Sequence, residues 1–474
     1  MTADLASAPP RIPAVITASR TISAAAVAAQ ASVWRDELTV IGGTARPLLV
    51  VVPAHPDAVA LIAAVTALPS WVALLNPDPT LWPKADQWPP GLLAVVPAGL
   101  THQQTMAAQM GLPVHVLSPV ADAPRAHDAA WAPLSGEGVV LFTSGSTGAA
   151  KPVFRSMRAL LQGCRSRIAA LGLQPGEGVV AGTSLAHGGG LNRLIEAMCL
   201  GGAFGMLDAV DHRAALAVLA RPEFGYWSVT AHFADALSRC ALTGPPIVPR
   251  VCTIANTLPR PVYDRFLARF GVPIRQIYSS TETGPVSTDG GPAADVDPES
   301  VGFLMPGVEV RIGDDVQAPL PAGEVGRVWL RGPWQMSGYG FPPHLTRPGD
   351  VDGWWPTRDL GALKPDGRLR LAGRIDDCVR TREGRLVNLA IVTGDLRLLT
   401  GVQEAMAVAI PSSAGTAFGA VVQCDAGVSV TDLHAQMTHV APWARPRTLV
   451  QVDAMPRLPN GKIDRRACAR LLDR

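Results

Sequence analysis

One loop of the sequence has the composition needed to hold phosphate groups. An apolar run at 139–142 leads into a segment of hydroxyl residues and glycines that ends at Lys151. The glycines permit a tight turn whose backbone N–H groups can point at anionic oxygens, while the hydroxyls add donors and the lysine adds a positive charge. The residues predicted to bind phosphate are Thr143, Ser144, Gly145, Ser146, Thr147, Gly148 and Lys151. The spacing is not that of the Walker pattern, and an ordinary polar turn is the alternative.

A second segment, at 276–284, places a carboxylate where it could bind a metal ion. It overlaps an apolar run at 274–278 and contains Tyr278, Thr281 and Glu282. Hard cations such as Mg²⁺ prefer oxygen ligands, and a bound Mg²⁺ can neutralise phosphate charge. Taken alone, the segment could equally be the end of a strand followed by a polar turn.

Charged positions nearer the C-terminus could also take part in chemistry. Asp359 has a carboxylate suited to accept hydrogen bonds from a pair of sugar hydroxyls. Arg374 and Asp376 share one short polar segment, and Lys462 follows an Asn-Gly turn. A lone lysine near a C-terminus is ordinarily a solvated surface residue. Its importance therefore depends on the order of all these segments together.

In that order, the segments resemble the motifs of the adenylate-forming superfamily, which includes acyl-CoA synthetases, adenylation domains of peptide synthetases, and luciferases. The resemblance runs from residue 143 to residue 462. It implies that ATP activates a small-molecule carboxylic acid as an acyl-adenylate, with release of pyrophosphate. It further implies that the acyl group passes to the thiol of CoA or to the phosphopantetheine of an acyl carrier protein. ATP, Mg²⁺ and that thiol are the implied cofactors.

The resemblance also implies a role for each motif residue. The implied catalytic residues, of which Glu282 is also the Mg²⁺ ligand, are Lys462, Thr281 and Glu282. Nucleotide contacts beyond the phosphate loop are implied for Tyr278 against adenine, Asp359 at the ribose, Arg374, and Asn256 in the adenine-binding loop. Asp376 is implied as the hinge between a large and a small domain.

A Gly-rich segment at 184–192 resembles the part of the family that lines the acyl pocket. His187 and Gly190 match that segment and are predicted to contact the acid. A loop histidine with satisfied hydrogen bonds at a Gly-rich turn is the structural alternative. His187 and Gly190 are therefore candidates for the acid site.

The chain departs from the family pattern at a few positions. Ser279 and Arg358 stand where glycine is usual, and Ala150 stands where proline is usual. The arginine matters for conformation, because glycine is often kept where φ must be positive. The segment 378–390 departs most, and the predicted thiol step depends on it.

Three other functions stay open. An amino-acid-activating enzyme would pair an acidic side chain after residue 184 with the substrate ammonium, and that segment offers only Glu196. This scarcity favours a fatty, aryl or other simple acid. A non-catalytic nucleotide-binding homologue would keep the fold without the activity, and a luciferase-like oxygenase would use the adenylate differently.

The distribution of apolar runs predicts an α/β fold in more than one domain. The length of 474 residues exceeds the usual size of a single hydrophobic core. Val- and Leu-rich runs alternate with helical stretches from about residue 47, which is typical of parallel α/β layers. We expect a large domain at 1–374 that includes a small antiparallel β subdomain at 286–374. A small, mobile α+β domain carrying Lys462 is expected at 375–474.

The charge balance limits the kinds of partner, and the cysteines and the first residues indicate the compartment. Lys and Arg total 41 against 39 for Asp and Glu, so neither nucleic acid nor an anionic membrane is expected as a partner. The chain has seven cysteines and no C-x-x-C pair, which favours reduced thiols over a disulfide framework. The first twenty residues do not resemble a signal peptide. A cytoplasmic protein without stable membrane insertion is therefore predicted.

Overall fold

The computed structural model describes residues 8–43, 46–118, 132–144, 150–207, 212–239, 249–255, 258–381, 384–410, 417–457 and 463–473. Most of the described strands are short. In chain order they are β1 (Val15–Ile16), β2 (Thr21–Ile22), β3 (Leu48–Val51), β4 (Val72–Leu75), β5 (Leu93–Pro97), β6 (Val114–Leu117), β7 (Gly138–Ser144), β8 (Ala150–Ser156), β9 (Val179–Ala181), β10 (Phe204–Met206), β11 (Tyr226–Val229), β12 (Val251–Ile254), β13 (Ile274–Ser280), β14 (Gly284–Thr288), β15 (Phe303–Leu304), β16 (Glu309–Ile312), β17 (Gly326–Arg331), β18 (Gly338–Phe341), β19 (His344–Thr346), β20 (Trp355–Leu363), β21 (Leu369–Arg374), β22 (Cys378–Arg380), β23 (Leu386–Asn388), β24 (Val402–Ile410), β25 (Ala417–Cys424) and β26 (Thr448–Gln451).

The described α-helices alternate with the strands over most of the chain. They are α1 (Ala24–Leu38), α2 (Asp57–Val65), α3 (Thr101–Gln109), α4 (Met157–Ala170), α5 (Gly188–Leu200), α6 (His212–Leu219), α7 (Ala231–Arg239), α8 (Arg260–Phe270), α9 (Leu389–Arg397), α10 (Val430–Gln436) and α11 (Arg465–Leu472). Serine side chains cap three of them at the N-terminus. Ser23, Ser156 and Ser429 accept hydrogen bonds from first-turn backbone N–H groups, those of Ala26, Ala159 and Asp432.

The first compact unit, residues 1–309 and 330–353, contains two large mixed sheets. The nine-stranded sheet has the order β15-β14-β13-β12-β11-β9-β10-β1-β2, and the eight-stranded sheet has the order β19-β18-β8-β7-β4-β3-β5-β6. Pairing is parallel at the centre of each sheet, as between β12 and β13 or β3 and β4. Hairpins add antiparallel strands outside each parallel centre, as between β13 and β14 or β7 and β8.

The main core of this unit is formed by apolar side chains from both sheets and the helices packed on them. Helix α2 shows why such a core forms, since Ala58 through Val65 are all buried. A helix that is apolar on every side is stable only inside a protein. The parallel strands are apolar at successive positions for the same reason, with all four residues of β3 and of β4 buried.

The second compact unit, residues 310–329 and 354–474, contains three smaller sheets. One has the order β16-β17-β20-β21, with β20 and β21 antiparallel. The strands β22 and β23 form an antiparallel ribbon. In the third, β25 pairs antiparallel with β24 and parallel with β26, and α9 and α10 supply apolar side chains to the core beside it.

The predicted α/β architecture, with parallel layers and additional antiparallel sheets, is confirmed. The apolar runs at 139–142 and 274–278 lie in strands β7 and β13. The boundary predicted after residue 374 separates a large domain from a small one that moves independently of it. That boundary stays a prediction. No described helix combines the length and the apolar composition needed to cross a lipid bilayer.

Candidate active site

The predicted phosphate loop connects two antiparallel strands. In β7 and β8, Thr143 lies opposite Lys151 and Ser144 lies opposite Ala150. The ends of the predicted loop are therefore neighbours across a hairpin, and the exposed Lys151 stands beside the chain reversal. Four of the predicted residues lie outside the described part of the chain, namely Gly145, Ser146, Thr147 and Gly148.

The predicted metal ligand, Glu282, lies in a second hairpin that is held by several hydrogen bonds. The hairpin joins β13 to β14, and its turn is closed by bonds between Ser280 and Thr283, including Thr283 N–H to Ser280 Oγ at 3.1 Å. The N–H of Met336 donates to the carbonyl of Glu282 at 2.7 Å. Thr281 and Glu282 are both partly exposed at the end of this turn.

Tyr339 brings the two hairpins together. Its hydroxyl donates a hydrogen bond to Glu282 Oε1 at 3.0 Å, and Lys151 Nζ lies 5.8 Å from the centre of its ring. The strand of Tyr339, β18, pairs with β8 so that Tyr339 lies opposite Val153. The predicted phosphate lysine and the predicted metal carboxylate thus share one aromatic neighbour. Sequence reasoning missed Tyr339, because nothing in its local sequence indicates the contact with Glu282, which is distant in the chain.

Tyr278 lies two residues before the turn, in β13, and is buried. The pairing of β13 with β14 shifts its register between Tyr278 and Ser279. Ser279, one of the departures from the family pattern named above, lies at this irregularity. The predicted contact of Tyr278 with adenine stays a prediction.

The predicted acyl-pocket residues lie at the start of helix α5. His187 occupies the position before the helix, and its Nε2 lies 3.4 Å from Asn76 Nδ2. A side chain added at Gly188 would lie 3.7 Å from Thr281 Oγ1, so this helix terminus adjoins the Glu282 turn. Gly190 has a different constraint, because a Cβ atom there would lie 2.3 Å from the carbonyl oxygen of Ser184. Close backbone packing alone requires a glycine at that position.

Glu196, the candidate for pairing with a substrate ammonium, is completely buried further along α5. Its carboxylate forms ion pairs with Arg167 and Arg193, with Arg193 Nη2 donating at 2.8 Å. Burial acts to lower the pKa of Arg193, but the adjacent Glu196 charge more than offsets it, so that this pKa lies above its usual range. Because two guanidinium groups already neutralise the carboxylate, Glu196 is a structural residue and gives no support to an amino-acid substrate.

We predict that Glu196→Gln strongly destabilises the protein. The substitution would leave two buried guanidinium groups without a counter-charge, and breaking a buried ion pair in this way costs about 3–5 kcal/mol. A lower midpoint of urea-induced unfolding would show the loss. Glu223→Gln is the matched control, because Glu223 pairs with Arg221 at the exposed surface, where an ion pair contributes little. Equal midpoints for the two variants would contradict the structural role of Glu196.

In the second compact unit, two predicted nucleotide contacts lie side by side. Asp359 in β20 is opposite Arg374 in β21. The buried Thr357 fixes the start of this segment, donating to the carbonyl of Val328 at 2.7 Å and accepting from the N–H of Asp359 at 3.1 Å. A carboxylate and a guanidinium are thus both presented on one pair of strands.

Arg358, another of the departures from the family pattern named above, is accommodated without backbone strain. Positive φ angles among the described residues other than glycine occur only at Leu134 and Asp352. The Arg358 guanidinium forms a two-point ion pair with the predicted hinge residue Asp376, with Nε donating to Oδ2 at 2.6 Å. Hydrogen bonding from Arg358 holds the pKa of Asp376 below its usual value.

Two further candidates, Lys462 and Asn256, lie outside the described residues, so their roles stay predictions. The described residues that flank Lys462 are ordered by local bonds. Arg457 and Ile463 form an antiparallel bridge, and Asp464 caps α11 by accepting from the N–H groups of Arg466 and Ala467.

Comparison with known proteins gives consistent matches. The sequence matches the family described as AMP-binding enzyme over residues 6–340. It is 35% identical over 217 residues to the 4-coumarate–CoA ligase-like protein 6 of Oryza sativa subsp. japonica. The aligned region covers 44% of this chain but only 36% of that relative's length. It is 31% identical over 349 residues to the fatty acid–acyl-carrier-protein ligase ScoC of Streptomyces coeruleorubidus, covering 69% of this chain and 66% of that protein.

The fold also matches solved structures. With o-succinylbenzoate CoA synthetase (MenE) of Bacillus subtilis, solved in complex with the acyl-adenylate intermediate OSB-AMP, the TM-score is 0.79. The match covers 98% of this chain and 96% of that one at 19% identity. At this level of identity the likeness concerns the fold.

Proposed function

Because this chain belongs to the AMP-binding enzyme family, we propose that it is an ATP-dependent ligase that joins a carboxylic acid to a thiol. In the first half-reaction the acid carboxylate attacks the α-phosphorus of ATP and pyrophosphate leaves, which gives an acyl-adenylate. In the second, a thiolate attacks the acyl carbonyl and AMP leaves. The names of the two relatives, which refer to CoA and to an acyl carrier protein, support this reaction class.

The observation that carries the proposal is the group formed by Lys151, Tyr339 and Glu282. A lysine beside a phosphate loop and a carboxylate able to bind a metal meet at one phenol ring. Phosphoryl and adenylyl transfer depend on positioning and on stabilising negative charge, so one cation and one metal ligand close together meet that need. Lys151 would hold the departing pyrophosphate together with the 143–148 loop.

Glu282 fits a magnesium ion that arrives with the nucleotide. Mg²⁺ is commonly bound by one or two carboxylates together with substrate phosphates. Over the part of the chain that the structure describes, no group of three or more His, Cys, Asp and Glu side chains could hold a metal by itself. A single carboxylate beside a phosphate loop matches Mg²⁺ binding by one carboxylate together with the phosphates of the nucleotide. When bound, the ion would neutralise phosphate charge.

The acid would lie near the start of α5, next to Thr281. The exposed His187 and the neighbouring Asn76 offer polar atoms there, and Gly188 leaves space beside Thr281. Since the carboxylate of Glu196 is neutralised inside the protein, the acid is proposed to be a fatty, aryl or similar one without a recognised ammonium group.

The second half-reaction would use the thiol of CoA or of a carrier-protein phosphopantetheine. Lys462 would stabilise charge in the first half-reaction, and rotation near Asp376 would then remove it and admit the thiol. Asp359 and Arg374, which are cross-strand neighbours, would hold the ribose and phosphate. The described cysteines are free thiols, which agrees with action in the reducing cytoplasm.

Acid-dependent exchange of labelled pyrophosphate into ATP tests the proposed function. We expect exchange with at least one fatty or aryl acid in a panel, and none with amino acids. The full-length chain with Mg²⁺ and ATP is sufficient, since the thiol is not needed for this half-reaction. If no acid in a broad panel supports exchange, the proposed activity is wrong, and exchange with amino acids alone would reverse the substrate assignment.

A further inference from the structure

Arg155 is a buried charge that the proposed reaction leaves unexplained. It lies in β8, four residues after Lys151, and only 2% of its surface is exposed. Burying a guanidinium is costly unless its N–H groups are hydrogen-bonded. Burial lowers the pKa of Arg155 to about 10, so the group stays charged at neutral pH.

The guanidinium of Arg155 is bound by backbone carbonyls of two separate segments. Nη1 donates to the carbonyl of Thr281 at 2.8 Å, and Nη2 donates to the carbonyl of Trp334 at 2.7 Å. The first of these carbonyls belongs to the peptide bond that leads directly into Glu282. Arg155 therefore holds the backbone from which the predicted metal ligand projects.

The same two segments are joined by further bonds on either side of Arg155. Trp334 Nε1 donates to the carbonyl of Pro285 at 2.6 Å, and the N–H of Met336 donates to the carbonyl of Glu282 at 2.7 Å. Gly284 leaves room for the guanidinium, because a Cβ atom there would lie 2.8 Å from Arg155 Nη2. The turn and the arginine are thus packed as one unit.

We propose that Arg155 is a positioning residue for Glu282, which it holds in the orientation that binds the divalent cation accompanying ATP. The inference rests on the proposed function, because it takes Glu282 as the metal ligand. Arg155 touches neither nucleotide nor metal in this account. It acts through the carbonyl of Thr281.

A positioning role and a purely electrostatic role of Arg155 predict opposite changes in the affinity of Glu282 for a cation. Arg155 and Glu282 interact as opposite charges, so removing the arginine charge alone would strengthen the attraction of Glu282 for a cation. Loss of the hydrogen bonds would instead free the turn and weaken cation binding. A variant without the arginine therefore distinguishes the two effects by the direction of the change.

The experiment measures the coupling between Mg²⁺ and ATP in the full-length chain. The dissociation constant of ATP is determined by calorimetry with EDTA and with saturating Mg²⁺, and the ratio of the two gives the coupling factor. We expect Arg155→Met and Arg155→Lys to lower this factor by about tenfold, with ATP affinity in EDTA little changed. Arg155→Lys keeps the charge but cannot span both carbonyls, so its loss would be due to geometry.

Arg347→Met is the matched control. Arg347 donates to the carbonyl of Met336 and to Gln335, and so contacts the same neighbouring segment without touching the Glu282 turn. Its coupling factor is expected to stay within about twofold of the wild type. If Arg155→Met does not fold, Arg155→Lys carries the test.

Each outcome decides the inference. An unchanged or increased coupling factor in the Arg155 variants overturns it, as does an equal loss of ATP affinity in EDTA, which would indicate a general structural role. The same fall in Arg347→Met would also overturn it. If the wild-type protein binds no ATP with EDTA or with Mg²⁺, the proposed function is contradicted as well. If the wild type shows Mg²⁺–ATP coupling and the Arg155 variants show the same coupling factor, only this inference is contradicted.

Discussion

Replacing Glu282 with glutamine is expected to slow acid-dependent pyrophosphate exchange by about 100- to 1,000-fold, the loss seen when one stabilising group is removed from a charged transition state. Glutamine keeps the size of the side chain and an oxygen that can accept from Tyr339, so the fold should be preserved. What it removes is the negative charge that would bind Mg²⁺. The measurement is the exchange rate at saturating ATP, Mg²⁺ and acid.

The matched control for this variant is Tyr339→Phe. It deletes the hydroxyl that donates to Glu282 but leaves the carboxylate and the ring near Lys151 in place. A fall of no more than about tenfold is expected, because the carboxylate that would bind Mg²⁺ is kept and Glu282 is partly exposed, so that water can replace the lost hydrogen bond. An exchange rate for Glu282→Gln close to that of the wild type would contradict the role of Glu282 as metal ligand.

Lys462→Ala is expected to separate the two half-reactions. Acyl-adenylate formation should fall by about a thousandfold, because the lysine would supply charge stabilisation during that step only. Attack of a thiol on a supplied acyl-adenylate should stay near the wild-type rate. Stopped assays of each half-reaction, one started with ATP and acid and the other with acyl-adenylate and CoA, give the two rates independently.

Lys84→Ala is a suitable control for this experiment, since Lys84 is an exposed lysine beside a short 3₁₀ turn. Both of its half-reactions should match the wild type. If Lys462→Ala slowed both half-reactions equally, the proposal that the lysine leaves the site between them would be untenable.

Much of the fold could be predicted from the sequence because buried parallel strands have a simple composition. Strands β3 and β4 consist of Leu, Val and Ala alone, and β13 was located by the apolar run before Tyr278. The division into compact units could not be read in this way. Residues 330–353 belong to the first unit, although along the chain they lie between the two stretches of the second, 310–329 and 354–474.

The candidate site was only partly predictable. Lys151 and Glu282 were found because their motifs are local, with their distinguishing residues close together in sequence. Tyr339 and Arg155 were missed because each acts through contacts more than 50 residues away in sequence, Tyr339 to Glu282 and Arg155 to Thr281 and Trp334. Glu196 shows the opposite case, since a polar residue that looked available for substrate is neutralised by a partner 29 residues earlier in the chain, Arg167.

The turn of residues 375–377 is tethered in two directions along the chain. Asp376 is paired back to Arg358 in β20, and Asp377 is paired forward to Arg465 in α11. A rotation centred on Asp376 would have to release its own pair, while the downstream part could carry the Asp377 pair with it intact. Exposed ion pairs are individually weak. The Asp376–Arg358 pair would therefore favour one orientation of the turn without preventing a rotation away from it.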